Sequence, residues 1–76
     1  MNEILGLLKG IRPEANFAGS TDFIADGLLD SFDVVTLVAT CDKTYRISIE
    51  GTDIIPENFQ NLTTIAALLR KYGVAV

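Results

Sequence analysis

Residues 30–45 read DSFDVVTLVATCDKTY, and the way this stretch folds governs how the rest of the chain is read. Val34, Val38, Cys41 and Tyr45 step by four, three and four, which stacks them in one narrow stripe of a helix turning about 100° per residue, with Val35 and Leu37 widening it. Phe32, Thr36, Ala39 and Lys43 repeat those steps on the opposite side. The spacing predicts an amphipathic helix with one core face and one available face headed by an aromatic. At its start stand Asp30, Ser31 and Asp33. Asp and Ser are favoured helix caps, and an acid in the first turn suits the helix dipole, so the tripeptide DSF in isolation reads as a cap.

Outward from this helix, the pattern stays helical. Near the start, Ile4, Leu5, Leu8 and Ile11 follow helical spacing, and Pro13 disfavours helix at Arg12, so a first helix ends by Ile11 or Arg12. Residues 13–30 then form a connection longer than the roughly 2–8 residues usual between bundled helices. Phe17, Phe23, Ile24, Leu28 and Leu29 are apolar enough to pin it to the core, and Gly27 marks a turn just before the serine. After RISIEG, the run DIIPENF implies one short helical turn with Pro56 at its first position, where a missing N–H costs nothing. In the last element Thr63 or Asn61 can cap, while Ile65, Leu68, Leu69 and Tyr72 form the apolar stripe. Arg70 and Lys71 suit the C-terminal dipole there, and Gly73 suits a left-handed stop. The expectation is an all-α chain: a single domain over residues 1–76, with three main helices, one short helix and a long first loop.

Composition narrows the function. A chain of 76 residues buries only about 60% of the surface it exposes when unfolded, which disfavours a deep enclosed active site. No apolar run approaches the roughly 18 residues of a membrane span. The opening MNEILGLLKG places Glu3 and no basic leader before its apolar residues, so a secretory signal is not expected, and the reading is a cytoplasmic protein acting as a monomer. There is no histidine. That removes the usual general base for a serine or cysteine nucleophile and the commonest zinc ligand. The net charge of −4 argues against nucleic acid. Its distribution is uneven: Glu14, Asp22, Asp26, Asp30, Asp33 and Asp42 give residues 13–42 a charge of −6 with no Lys or Arg, and the remainder sums to +2. A one-signed field of that kind steers basic partners toward Ser31.

Ser31 has a second reading beside the cap. A helix N-terminus presents unpaired N–H groups and about half a positive charge, which favours a phosphate-linked group there. A serine nucleophile needs a base that the chain lacks, so an attachment point fits better. Cys41, on the apolar stripe, reads as a small buried hydrophobe, and Phe17 and Phe23 read as loop anchors. STDFIADGLLD lacks the alternating oxygen ligands and terminal Glu of a calcium loop, and no metal site is expected.

GLLDSFDVVTLV resembles the attachment motif of the acyl carrier protein family. The likeness extends over the chain: a short first helix, a long loop, the motif at about two fifths of the length, a short helix near PENF, and a last helix introduced by NLTTI. The resemblance implies an acyl-carrier-protein-like fold. It implies that Ser31 receives 4′-phosphopantetheine from coenzyme A, that Asp30 is the acid preceding it, and that the distal thiol of the arm carries an acyl or aminoacyl group as a thioester. The protein itself would catalyse nothing. Its partners would be a phosphopantetheinyl transferase, an acyl- or aminoacyl-adenylating ligase and downstream transferases, meeting a face made by Phe32, Asp33, Thr36, Ala39 and Lys43. Phe32 stands where many carriers have leucine. Thr36 and Lys43 replace glutamates usual in fatty-acid carriers, leaving Asp33 and Asp42 as the acids. GLLDSF and IIPENF look more like D-alanyl and stand-alone peptidyl-type carriers. The competing expectation is an unmodified helical interaction module with a carrier-like fold, contacting partners through Phe32 and Ala39.

Overall fold

The computed structural model describes residues 2–76 and, among them, is all-helical with no strand. Three α-helices carry the fold: α1 (Asn2–Ile11), α2 (Ser31–Tyr45) and α3 (Leu62–Lys71). Single 3-10 turns at Phe17–Gly19, Gly51–Asp53 and Pro56–Asn58 punctuate the connections. The segment read as a short helix is thus only a three-residue turn, with Pro56 at its first position. Such a turn is too brief to count as a fourth member of the bundle.

Each helix buries the stripe its period dictates. Ile4 and Leu8 of α1, Val34, Leu37, Val38 and Cys41 of α2, and Ile65, Ala66, Leu68 and Leu69 of α3 share one core. α1 stops at Ile11, with the Arg12 N–H still donating to the Leu8 carbonyl at 2.9 Å before Pro13 ends the series. One expectation fails on α2: Val35 is 60% exposed, outside the core it was expected to widen. Val35 stands about 100° round the helix from Val34, and Leu37 completes the buried face on the other flank.

The long first loop is tied down. Phe17 and Phe23 are buried edge-to-face at 5.1 Å. The Phe23 N–H donates to the Gln60 carbonyl, and the Asn61 side chain donates to the Thr21 carbonyl at 3.1 Å. The Asp22 carboxylate accepts the N–H groups of Ile24 and Ala25, closing an Asx turn, and Gly27 takes φ +74°, where a Cβ would be strained. These links deliver the chain to the start of α2 in one fixed direction.

The ends of the helices follow their caps. Asn61, not Thr63, caps α3: its side chain accepts from the Thr64 N–H at 3.0 Å while the Thr64 hydroxyl accepts from the Asn61 N–H at 3.1 Å. Gly73 ends that helix with φ +85°. Arg46 ends α2 in the same left-handed region, φ 54° and ψ 48°, without being glycine.

Candidate functional site

The site is built at the first turn of α2. Asp30 is the cap: its Oδ1 accepts the Asp33 N–H at 2.8 Å, and Asp33 Oδ2 accepts the Asp30 N–H at 3.2 Å, closing a reciprocal capping box. Ser31, one position on, is exposed, and its hydroxyl has no hydrogen-bond partner among the described residues. Of the two capping candidates, the aspartate takes the role and the serine does not. Ser31 and Phe32 also carry N–H groups of the first turn that no acceptor satisfies, as at any helix start.

Ser31 opens onto an apolar surface. An open groove of about 220 Å³ runs beside it, walled by Ile24 of the loop, Val34 and Val35 of α2, and the 54–56 segment. Phe32 at 81% exposure, Val35 at 60% and Ile55 at 41% are the large hydrophobics left in solvent among the described residues, and all three border the serine or this groove. Val35 was read from the sequence as part of the core face, and Ile55 was not singled out. The apolar run of Val34 and Val35 hid the former, and only the approach of the Pro56 turn to α2 reveals the latter.

The face expected to meet partners divides. Phe32, Thr36, Ala39 and Lys43 are exposed along α2, and the Thr36 hydroxyl donates back to the Phe32 carbonyl at 3.1 Å. Asp33 is turned away from that use. Its side chain is 15% exposed and receives the Arg12 guanidinium, Nε at 2.9 Å and Nη2 at 2.8 Å. Burial pushes the Asp33 carboxyl up, but hydrogen bonds from Arg12 and the Asp30 backbone, with the guanidinium charge, outweigh it and hold the group below the usual carboxylate range. Arg12 reaches Asp30 as well, Nη2 to Oδ2 at 3.3 Å. Asp42, the other acid expected on this face, accepts the Ile49 N–H at 3.0 Å and secures the turn after α2.

Arg12 corrects the charge picture too. Counted along the chain, residues 13–42 are uniformly acidic, yet in space the cation just before them sits among the acids nearest Ser31. Cys41 is buried on the core face, and burial, then the charge of Asp42, pushes its thiol up to about 11. It is an inert core group at neutral pH.

Compared with family models, curated proteins and solved structures, the chain matches none.

Proposed function

We propose that this chain is an acyl or aminoacyl carrier of the acyl carrier protein kind, with the short Pro56 turn standing where that fold has its third helix, and that Ser31 is its attachment point for 4′-phosphopantetheine. One observation carries the reading: the Ser31 hydroxyl is exposed and unpartnered at the head of α2, while Asp30 performs the capping that would otherwise explain a serine there. The surroundings fit such a group. Unsatisfied N–H groups at the helix start favour a phosphodiester, and the apolar walls beside Ser31 suit an uncharged arm leaving it. When bound, the group supplies a distal thiol that holds cargo as a thioester.

The residues of this chain present and orient, and the chemistry belongs to partners. Ser31 Oγ bonds to the pantetheine-bearing phosphorus of coenzyme A, the bond to adenosine 3′,5′-bisphosphate breaks, and the hydroxyl proton passes to a base of the transferase. Phe32, next to Ser31, and Val35, about one turn further along the same helix, supply the exposed apolar contact for the transferase and for an adenylating ligase, with Ala39 and Lys43 extending that face. The carrier acts as a monomer in the cytoplasm.

The test is intact-protein mass spectrometry after incubation with coenzyme A, Mg²⁺ and a broad-specificity phosphopantetheinyl transferase, wild type beside Ser31→Ala. A gain of one phosphopantetheine in the wild type alone is expected. No gain in either protein leaves the second reading, an interaction module, which the 81% exposure of Phe32 favours. That module would bind its partner equally well after Ser31→Ala and without coenzyme A.

A further inference from the structure

Two carboxylates flank Ser31 in sequence, Asp30 before it and Asp33 two residues after, and one guanidinium engages both. Asp30 and Asp33 carry −2 and Arg12 carries +1, so the local sum over these three groups is −1; Arg12 Nη1 also lies 3.8 Å from the carboxylate of Glu14, which is 70% exposed and outside the capping box. Arg12 comes from outside the motif, eighteen residues from Asp30 and twenty-one from Asp33, directly after the last turn of α1. Together with the Asp30 N–H, it holds the Asp33 carboxylate in place. The Asp33 carboxylate faces the groove shared with Gly6 and Gly10 of α1, on the far side of α2 from the apolar groove beside Ser31. A phosphate-linked group arriving at Ser31 brings further negative charge to within a helical turn of both acids, where like charges oppose it.

We propose that Arg12 is a positioning residue for the modification of Ser31: it draws Asp33 toward α1 and cancels one of the two charges that would repel an anionic phosphoryl group at the hydroxyl. This rests on Ser31 being the attachment point. The acids of the long loop still attract a basic transferase from a distance. Steering of that kind governs encounter, whereas Arg12 acts on the charge beside the reacting oxygen. The two effects therefore separate into KM and kcat.

The experiment measures phosphopantetheine transfer to wild type, Arg12→Gln, Arg12→Lys and the double variant Arg12→Gln/Asp33→Asn, with coenzyme A and Mg²⁺ saturating and intact mass as the readout. Thermal melts run in parallel. Arg12→Gln changes the local sum to −2, and kcat is expected to fall about three- to tenfold at low ionic strength, with much of the loss regained at high salt. Arg12→Lys should transfer nearly as wild type. The double variant returns the sum to −1 while the amide oxygen introduced by Asp33→Asn can still accept the Asp30 N–H, and it should recover most of kcat although the bridge between α1 and α2 is gone. A merely structural role for Arg12 predicts the reverse, a double variant as slow as Arg12→Gln. That result, or Arg12→Gln transferring as fast as wild type, overturns the inference and leaves Ser31 as the attachment point. A wild type that takes no phosphopantetheine overturns both.

Discussion

Replacing Ser31 and Asp30 separately by alanine divides stability from modification at neighbouring positions. Asp30 Oδ1 accepts the Asp33 N–H at 2.8 Å and its backbone N–H is the other half of the capping box, so Asp30→Ala removes the N-cap of the longest helix. Such losses cost about 0.5–2 kcal/mol. For a domain of this size about 1 kcal/mol corresponds to roughly 4–8 °C in Tm. The pairing of Asp30 with Arg12 adds little to this, because the two side chains are 60% and 36% exposed. Ser31→Ala removes a hydroxyl with no hydrogen bond and introduces a better helix former, so its effect should stay within about 0.5 kcal/mol. Thermal melts followed by far-UV circular dichroism should place Asp30→Ala several degrees below wild type and Ser31→Ala beside it. The same Ser31→Ala sample should be blank in the phosphopantetheine assay. A Ser31→Ala melt as low as that of Asp30→Ala would show that the hydroxyl serves the helix, and the case for a free attachment group would fail.

The helices were legible because their period is local. Ile4 and Leu8, Val34, Val38 and Cys41 of the α2 stripe, and Ile65, Leu68 and Leu69 are buried as their spacing requires, while Tyr45 at the end of the stripe is partly buried. Val35 departs from its expected place because periodicity locates a face but not its edge. What covers an edge is decided by a distant segment, and here the 54–56 segment leaves a groove beside α2. Asn61 as the α3 cap was within reach, since Thr64 three residues on completes the box. The pairing of Arg12 with Asp33 spans twenty-one residues and has no local signature, so the motif looks more acidic in sequence than it is in space. Arg46 in the left-handed region could not be foreseen either, because the usual glycine marker is absent and the turn is secured instead by Asp42.

Three further outcomes test the arrangement. Val38→Asp puts an unpaired charge at a position 7% exposed and should unfold the domain, whereas Phe32→Ala, at an 81% exposed position, should leave Tm nearly unchanged and slow transfer from a cognate ligase; equal loss of folding would mean the faces of α2 are reversed. Cys41, its thiol raised to about 11 by burial and by Asp42, should resist iodoacetamide at neutral pH and take one adduct only in denaturant, read by intact mass. The last concerns the clasp around Asp53, where Tyr72 Oη and Lys71 Nζ, the latter at 2.9 Å, both donate to its carboxylate. The Tyr72 hydroxyl, then Lys71, holds the Asp53 carboxyl below its ordinary 3.8 against the opposing effect of burial. A depressed pKa contributes stability that is present above the ordinary value and lost as pH falls through the lowered one. The hydrogen bond to Asp53 raises Lys71 above 10.5 and Tyr72 above 10.0, so their contribution is present below those values and lost as pH rises through the raised ones. The stability gap between wild type and Asp53→Asn should therefore be widest between about pH 5 and 9 and narrow on both sides, in acid because Asp53 takes up a proton and in alkali because Tyr72 and Lys71 lose theirs. Urea titrations across that range measure the gap directly. A gap that stays constant into strong acid would mean that Asp53 holds the 51–53 turn without its charge, and that the clasp is a neutral hydrogen bond.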